Sequence, residues 1–376
     1  MYKVLYICHD PHRLAGSPLS LANLISALGE EVEATVLLSE DGVVADYFRK
    51  RGISVLIHRF ENNVRHPKRW IHWLHYWPKR LRNSIYNKEC ISYCARKLHH
   101  ADIVHTNTSV IDMGVDMAHR LGAKHVWHLR EYQNLDFRLT PFRGWKRLLA
   151  QIQAADGVIA ITQAIYNHWH LEKSSRALVL WDAVRKTSDV CLIPRKEPFF
   201  FFCSAIISPA KSCETSIRAF ALTGLAEQGY KLKIAGKFED ENYRREILSL
   251  ISQNRLDDNV EFMGYVSDIK PVLSRATAFL MTSQNEAQGR VTIEAMFYGC
   301  PVIARNTGGH TEFVLHEETG LLFDTDRECA DRMTAVTQTM PVKMIKQAQE
   351  YAVGHFSEEC YKQKLLQFYN TVLNEK

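Results

Sequence analysis

The segment that decides the fold reads Ser-Gln-Asn-Glu-Ala-Gln-Gly-Arg-Val-Thr-Ile-Glu-Ala-Met and occupies residues 283–296. It follows a short apolar run, residues 278–282, that is typical of a buried strand. A helix is predicted to begin at about Arg290. Glu286 then lies on the loop at the carboxyl end of the strand, and Glu294 lies about one turn into the helix. Because ligands bind at this edge of open parallel sheets, the segment predicts an α/β fold with a site at the loop.

The start of the predicted helix suits an anion. The backbone N–H groups of Gly289, Arg290 and Val291 have no partner within a helix, and the helix dipole favours a negative charge beside them. Glycine at position 289 lets a phosphate approach the backbone closely. Carboxylates accept hydrogen bonds from hydroxyls, so we predict a nucleotide-sugar site with Glu286 on the sugar and Glu294 on the ribose. The alternative is that Glu294 is a solvated helix residue and Glu286 a helix cap.

Strand and helix signals alternate along the rest of the chain. Continuous apolar runs between helical patterns predict parallel strands covered on both faces, in doubly wound α/β domains. A polar segment with two prolines, residues 185–198, interrupts the series. We therefore predict a first domain at 1–185, a linker at 186–198 and a second domain at 199–376. The last helix, at about 358–373, could pack on either domain.

Composition excludes several classes of protein. The chain has 376 residues, of which 46% are hydrophobic, and a net charge of +5, which fits two globular domains and anionic substrates but is too small to indicate a nucleic acid. No apolar run approaches the roughly 18 residues of a membrane span, and no signal peptide opens the chain, so a cytoplasmic protein is expected. The nine scattered cysteines are expected to be reduced packing residues. The absence of GxGxxG after the first strand and of GxxxxGK[ST] argues against an oxidoreductase and a P-loop enzyme.

Five sequence elements, in the expected order, resemble the signature of glycosyltransferase family four. They are E-x7-E from Glu286 to Glu294, Glu-Ala-Met at 294–296, Gly-x-Pro-Val-Ile at 299–303, Gly-Gly-x-x-Glu at 308–312 and Thr-Gly at 319–320. The resemblance implies the GT-B fold, in which two Rossmann-like doubly wound domains flank an interdomain cleft. It also implies transfer of a sugar from a nucleotide-sugar with retention at the anomeric carbon, without a metal ion or a cofactor.

The resemblance extends over most of the chain and implies roles for individual residues. Gly16 is similar to the family's glycine loop beside the donor phosphates, and Lys211 to the lysine that contacts the diphosphate. The candidates for catalysis are Glu286, His128 and Lys211, and the candidates for donor binding are Gly16, Gly236, Met263, Gly289, Arg290, Val291 and Glu294.

Three positions depart from the family pattern. Ile206 stands where the family has an arginine before the lysine, Ala205 replaces the preceding glycine, and Gln288 replaces a phenylalanine. The missing arginine would weaken donor binding, change donor choice or mark an inactive relative, unless Arg290 or Arg130 compensates.

Two strand ends of the first domain carry candidates for the acceptor side. Members of the family place a histidine at one of these ends beside the donor sugar, and His128 matches the later position. His128 would bind a sugar hydroxyl or orient the acceptor, whereas the alternative is a histidine satisfied within a loop. The other acceptor-side candidates are His105, Asn107, Arg130 and Glu131. The alternative for Arg130 and Glu131 is a solvent-facing pair without a role in binding.

Residues 65–82 form a basic segment that contains tryptophans at helical spacing, Trp70, Trp73 and Trp77. Such a helix either lies on an anionic membrane surface or packs its aromatic side chains into the domain core. If the helix lies on a membrane, the protein is expected to be peripheral on the inner membrane face and to use a lipid-linked acceptor.

The sequence therefore predicts a retaining glycosyltransferase that uses a nucleotide-sugar donor, with UDP favoured and GDP next. The expected acceptor is a saccharide or a lipid-linked saccharide of surface polysaccharide or glycolipid biosynthesis. A catalytically weak subunit that binds nucleotide-sugar or membrane and supports a partner transferase is the alternative. A nucleotide-sugar epimerase on the same fold is disfavoured by the family-four signature.

Overall fold

The computed structural model describes residues 1–65, 72–191 and 196–374. The chain folds into two compact units. Unit 1 contains Met1–Ala183 and Glu358–Lys376, and unit 2 contains Val184–Ser357. Each unit is a parallel sheet with helices between its strands, which is the Rossmann-like pattern. The two units have the GT-B architecture, as the sequence predicts.

Unit 1 is built on a seven-stranded sheet in which every pair of neighbouring strands is parallel. Its strands and those of a small antiparallel pair are β1 (Tyr2–Ile7), β2 (Val32–Leu38), β3 (Ser54–Ile57), β4 (Val64–Arg65), β5 (Ile103–Thr106), β6 (Lys124–Leu129), β7 (Thr140–Pro141), β8 (Gly157–Ala160) and β9 (Ala177–Val179). The order in the sheet is β3-β2-β1-β5-β6-β8-β9, and β4 pairs with β7. The intervening helices are α1 (Ser17–Leu28), α2 (Val43–Arg49), α3 (His72–Leu98), α4 (Gly114–Leu121), α5 (Trp145–Gln153) and α6 (Gln163–His168).

Unit 2 repeats the pattern with a six-stranded parallel sheet in the order β12-β11-β10-β13-β14-β15. Its strands are β10 (Phe199–Ile207), β11 (Lys231–Phe238), β12 (Val260–Gly264), β13 (Ala278–Met281), β14 (Val302–Arg305) and β15 (Leu321–Phe323). Its helices are α7 (Cys213–Thr223), α8 (Glu241–Gln253), α9 (Lys270–Arg275), α10 (Arg290–Phe297), α11 (Asp326–Gln338) and α12 (Val342–Phe356). The order changes direction between β10 and β13, so their carboxyl ends mark the place where a ligand of this sheet is expected.

The last helix, α13 (Glu358–Asn374), returns to unit 1 and packs on α1. Its buried face is Tyr361, Leu365, Phe368, Tyr369 and Val372, at helical spacing. Gly157 at the start of β8 makes room for it, because a Cβ there would lie 2.7 Å from Val372. From the sequence alone, the packing of this helix is open and residues 199–376 are predicted to form the second domain. The structure instead groups α13 with unit 1, and it groups the described residues of 184–198 with unit 2.

The basic segment at 65–82 is only partly helical. Arg65 lies in β4, and α3 begins at His72. Lys68, Arg69 and Trp70 lie outside the described residues, as do residues 192–195 of the predicted linker and the side chains of residues 72–77. Among the residues that the structure describes, no helix combines the length and the apolar character needed to cross a bilayer.

Candidate functional site

The carboxylate of Glu286 and the ammonium of Lys211 meet at the carboxyl ends of β13 and β10. Nζ of Lys211 donates to Oε2 of Glu286 at 2.7 Å. Lys211 ends a 3₁₀ turn that begins at Pro209. The hydroxyl of Thr282, directly after β13, donates to the backbone carbonyls of Lys211 and Ser212 at 3.2 and 2.9 Å. The two strand ends are thus tied together beneath the ion pair.

The loop that carries Glu286 rests on two glycines that follow β14. The amide of Gly309 donates to the carbonyl of Glu286 at 2.8 Å, and the hydroxyl of Thr307 donates to the carbonyl of Gln284 at 2.8 Å. Gly308 has a φ of +80°, and a Cβ there would lie 2.8 Å from the carbonyl oxygen of Glu286. The Gly-Gly element of the sequence signature therefore holds the loop of the first glutamate.

Glu286 is ionised at neutral pH. Burial raises the pKa of its carboxyl group, but the charge and hydrogen bond of Lys211, with smaller effects from His310 and Ser283, outweigh burial and leave the pKa below its ordinary value. The group is therefore a hydrogen-bond acceptor that already holds one cation.

Helix α10 begins directly after this loop, at Arg290 as predicted. Gly289 precedes it in a left-handed conformation, with a φ of +75°, and no side chain caps the helix. A Cβ at Gly289 would lie 3.2 Å from Cγ of Glu286, so a side chain at this position would press against the ion pair. The start of α10 thus lies close to Glu286 without a side-chain cap, which is an arrangement suited to a phosphate.

Glu294 lies on the same helix and pairs with Arg185, which no motif of the sequence indicates. Nη2 of Arg185 lies 2.8 Å from Oε1 of Glu294, and Nε of Arg185 donates to the hydroxyl of Tyr298. Burial raises the pKa of Glu294, while Arg185 and Arg290 oppose that rise. Glu294 is buried and paired, so it is not the solvated helix residue of the alternative interpretation.

A basic residue lies beside Ile206, the position where family four has an arginine. Ile206 is 37% exposed near the end of β10, and it is in register with Lys237 of β11. Residues paired in a parallel ladder point to the same side of the sheet, so a lysine stands beside the position where the family has its arginine. Gly236 precedes Lys237 with a φ of +141°, and a Cβ there would overlap the carbonyl oxygen of Ser204. Met263 lies on the neighbouring strand, β12.

The described residues contain no group of three or more His, Cys, Asp and Glu side chains that could hold a metal ion. One Asp-x-Asp triplet follows β15, at Asp324–Asp326. Asp326 pairs with Arg218 at 2.6 Å, and Thr325 between the aspartates caps α11. The triplet thus serves the packing of α7 and α11.

In unit 1, four of the candidate residues lie in one buried polar cluster at the ends of β5 and β6. Nη2 of Arg130 lies 3.1 Å from Nδ1 of His128, and Nε of Arg130 donates to Oδ1 of Asn107 at 2.8 Å. Nε2 of His105 lies 3.1 Å from Nδ1 of His128. The guanidinium also pairs with Asp182. Arg130 is therefore a buried residue that contacts several polar side chains, and it is not part of a solvent-facing pair.

Burial decides the charge states in this cluster. Burial and the positive charge of Arg130 hold the pKa values of His105 and His128 well below their ordinary range, so both rings are neutral. Glu131 lies apart from them and accepts from the amide and hydroxyl of Ser109, each at 2.6 Å. Burial raises the pKa of Glu131 to about 7. Gly16 is exposed before α1, with a φ of +57°.

Sequence reasoning missed Arg185, Lys237, Asp182 and Tyr369. The first and third lie at the boundary where the sequence predicts the end of a domain, and a polar residue there gives no sign of a buried partner. Tyr369 lies on the apolar stripe of α13, so its spacing predicts core packing and not the hydrogen bond from its hydroxyl to Nδ1 of His105 at 2.7 Å.

Part of the chain is similar in sequence to known glycosyltransferases. Residues 185–351 match the family model described as "Glycosyl transferases group 1". The alpha-1,3/1,6-mannosyltransferase ALG2 of Mus musculus is 29% identical over 148 residues, which cover 36% of this chain and 35% of that protein. The GDP-Man:Man(3)GlcNAc(2)-PP-Dol alpha-1,2-mannosyltransferase of Dictyostelium discoideum is 29% identical over 153 residues, which cover 39% of this chain and 30% of that protein.

Among solved structures, Anabaena Alr3699/HepE in complex with UDP and glucose superimposes with a TM-score of 0.78. It is 19% identical and covers 99% of this chain and 100% of that chain, so the likeness is one of fold. The chain spans about a third of the length of the curated relatives it matches. The matched region contains both glutamates, Lys211 and Arg185, so unit 2 carries the part of the chain that is similar to glycosyltransferases.

Proposed function

We propose that this protein is a retaining, metal-independent glycosyltransferase that moves a sugar from a nucleotide-sugar donor to a saccharide or lipid-linked saccharide acceptor. The carrying observation is the Lys211–Glu286 ion pair beside the uncapped start of α10. The ammonium and the helix amides suit the diphosphate of the donor, and the ionised carboxylate suits hydroxyls of the transferred sugar. Glu294, oriented by Arg185, is the acceptor for the ribose hydroxyls.

In this proposal the protein accelerates transfer by positioning the donor and by stabilising charge on the departing diphosphate. Lys211 and the amides of Gly289, Arg290 and Val291 supply the positive groups. A role for Gly16 beside the donor phosphates is proposed from the resemblance to family four alone. Gly236 and Met263 lie at neighbouring strand ends whose backbone groups receive the nucleotide. Retention of the anomeric configuration follows from the resemblance to family four.

The first test is Glu286→Ala, assayed for transfer from a panel of UDP- and GDP-sugars and for folding by circular dichroism. We expect loss of transfer with an unchanged spectrum, and full activity in the variant would overturn the assignment. Glu317→Ala is the matched control, because that glutamate is exposed outside the site. NMR of the product reads the anomeric configuration, and assays with EDTA test independence from metal ions.

The nucleotide is identified by thermal unfolding with UDP, GDP, ADP or CMP. A nucleotide at about a hundred times its Kd stabilises the folded state by about 2.7 kcal/mol, which is a measurable shift. We expect UDP to give the largest shift and GDP the next. The Alr3699/HepE neighbour was solved with UDP, and a curated relative is named for GDP-Man.

A polar recess on unit 1 supports a saccharide acceptor. Asn62, Asn63, Asn83 and Asn87 line it beside the ring of Phe142. Oδ1 of Asn83 is buried and has no hydrogen-bond partner among the described residues. Amides both donate and accept hydrogen bonds, as sugar hydroxyls do. We expect Asn83→Ala to raise the KM for the acceptor and to leave the KM for the donor unchanged.

The exposed face of α3 supports contact with an anionic membrane. Leu81 and Ile85 are 66% and 47% exposed and lie one turn apart. The exposed cations Lys79, Arg82 and Lys88 flank them. Apolar side chains between cations fit the headgroup boundary of an anionic bilayer. Cosedimentation with anionic but not neutral vesicles, lost in Leu81→Ser with Ile85→Ser, is the expected result.

A second candidate function is a subunit that binds nucleotide-sugar or membrane and supports a partner transferase. The observation in its favour is Ile206 at the position of the family's arginine. The transfer assay separates the two: a transferase moves sugar from its own donor, whereas a chain that binds a nucleotide or anionic vesicles but transfers no sugar from any donor of the panel is the supporting subunit.

A further inference from the structure

His310 is a buried histidine beside the proposed donor site, on the turn that follows β14. Its side chain has no exposed surface. Nε2 lies 2.6 Å from the carbonyl oxygen of Arg305, and a carbonyl only accepts, so Nε2 carries the proton of the neutral ring. Nδ1 is then a lone pair, and it has no hydrogen-bond partner among the described residues. The ring therefore holds one buried basic nitrogen that the fold does not use.

Two charges of opposite sign act on this ring from neighbouring elements. They are the carboxylate of Glu286, after β13, and the ammonium of Lys211, after β10. The amide of Gly309 donates to the carbonyl of Glu286 at 2.8 Å, which holds the turn against the Glu286 loop. The guanidinium of Arg305, on β14, bonds backbone carbonyls that follow β13 and β15. Glu312 is the other ionisable residue of the turn itself.

Binding of a donor changes the balance of charge at this place. In the free protein the ammonium of Lys211 neutralises the carboxylate of Glu286, with Nζ and Oε2 2.7 Å apart. The proposed function brings a diphosphate to the same ammonium, so that one positive charge then faces several negative ones. The Glu286 side chain is only 18% exposed, and a buried carboxylate that loses part of its counter-charge is unfavourable. Added negative charge also favours a proton on a neighbouring base, and Nδ1 of His310 is such a base.

We propose that His310 takes up a proton on Nδ1 when the diphosphate of the donor binds, and so becomes a second cation that shares the charge of Glu286 with Lys211. The proton comes from solvent and forms a bond with the Nδ1 lone pair, while Nε2–H stays on the carbonyl of Arg305. This inference rests on the proposed function for its ligand, a nucleotide-sugar. It adds, in the bound state alone, a positive group to a site that has isoleucine at position 206.

The proposal makes donor affinity depend on pH. Burial lowers the pKa of His310 in the free protein, against the bond to the Arg305 carbonyl and the charge of Glu286. The diphosphate raises that pKa in the complex. A group whose pKa is higher in the complex strengthens binding at low pH, and the gain is lost as pH rises through the pKa of the complex. Donor affinity is therefore expected to fall about tenfold between pH 6 and pH 8.

Titration calorimetry counts the protons. UDP-glucose and GDP-mannose are titrated into the full-length protein at pH 6.5, in PIPES and in imidazole buffer, whose heats of ionisation differ. The difference in observed heat, divided by the difference in ionisation heat, gives the protons taken up for each donor bound. A nucleotide-sugar is used because the terminal phosphate of a free nucleotide itself titrates at about pH 6. We expect the wild type to take up about half a proton or more.

The variant His310→Gln keeps a donor for the carbonyl of Arg305 but has no group that takes up a proton. We expect its uptake to be below about a tenth of a proton, and its affinity to change about twofold at most between pH 6 and pH 8. His316→Gln, at an exposed histidine of the same unit, is the matched control and should keep the wild-type uptake. Equal uptake in His310→Gln and the wild type would overturn the proposal.

A second measurement needs no variant to fold. ¹⁵N NMR of the wild-type protein labelled at histidine distinguishes a neutral ring from one with protons on both nitrogens. At pH 6.5 we expect saturating donor to convert one histidine from the neutral Nε2–H form to the doubly protonated form. A spectrum in which no histidine gains a proton on Nδ1 when the donor binds would contradict the proposal.

The outcomes also separate this inference from the proposed function. If none of the UDP- and GDP-sugars of the transfer panel binds, the proposed function fails and the uptake of a proton by His310 fails with it. If a nucleotide-sugar binds and is used for transfer but no proton is taken up, only the present inference is lost.

Discussion

Gly308 lies against the backbone of Glu286, and a Cβ at that glycine would come within 2.8 Å of the Glu286 carbonyl oxygen and 3.0 Å of its amide nitrogen. The two residues come from loops after different strands, β14 and β13. The position of the proposed sugar-binding carboxylate therefore depends on the absence of a side chain at a remote position.

We expect Gly308→Ala to displace the Glu286 loop and to reduce kcat/KM by at least a hundredfold. Its φ of +80° is also unfavourable for alanine, with a cost of about 1–3 kcal/mol in folding free energy. Steady-state kinetics and thermal unfolding measure the two effects. Gly354→Ala is the matched control, because Gly354 lies within α12 with open space around it, so alanine should increase stability. Wild-type kinetics in Gly308→Ala would contradict the role of this contact.

Lys211 sets the charge of Glu286 as well as binding phosphate in the proposed mechanism. Lys211→Met keeps most of the side-chain length but removes the cation, so only the smaller effects of His310 and Ser283 oppose burial and the pKa of Glu286 rises. We expect the acid limb of the profile of kcat/KM against pH to move to higher pH, with a lower plateau. Lys231→Met, at an exposed lysine of unit 2, is the control. An unshifted acid limb in Lys211→Met would separate Lys211 from the ionisation of Glu286.

A substitution at position 206 tests whether the absence of the family's arginine weakens donor binding. Ile206 is exposed, so Ile206→Arg adds a guanidinium without filling a core. A hydrogen bond to a charged group contributes about 1.5–3 kcal/mol, so we expect the nucleoside diphosphate to bind about tenfold more tightly, measured by titration calorimetry. If Lys237 already acts in place of the arginine, Lys237→Ala should weaken the same binding, and Ile206→Arg should restore it. Unchanged affinity in both single variants would exclude this edge of the sheet from phosphate binding.

The sequence predicted local features and missed long-range pairs. The structure of the segment at 283–296 could be predicted because, within one loop and one helix, the spacing of residues along the chain also fixes their spacing in space. Helix α10 begins at Arg290 as predicted. The bond between His105 and Tyr369 joins residues 264 positions apart, and only the packing of α13 on unit 1 brings them together. Arg130 and Glu131 are not a solvent-facing pair. The guanidinium of Arg130 is buried because it binds the buried side chains of Asn107 and Asp182. The roles of these residues in binding and transfer remain predictions.

Buried histidines predict that unit 1 loses stability in acid. Burial lowers the pKa of His125 to about 4, against the opposing charge of Asp156. A base with a lowered folded pKa contributes stability that is present above its ordinary value of 6.5 and is lost as pH falls from there through about 4. At pH 5 the loss from this ring is about 2 kcal/mol. Glu131, whose raised pKa of about 7 acts in the opposite direction, partly masks the loss in the wild-type protein.

The variant His125→Gln isolates this contribution. All seven tryptophans precede residue 184, so tryptophan fluorescence during urea unfolding reports unit 1 alone. Lowering the pH from 7.5 to 5 changes the free energy of unfolding of both proteins. We expect the His125→Gln variant to lose about 2 kcal/mol less of it than the wild type loses. His119→Gln, at an exposed position, should keep the wild-type dependence. Equal pH dependence in His125→Gln and the wild type would mean that His125 takes up its proton in the folded state as readily as in the unfolded chain.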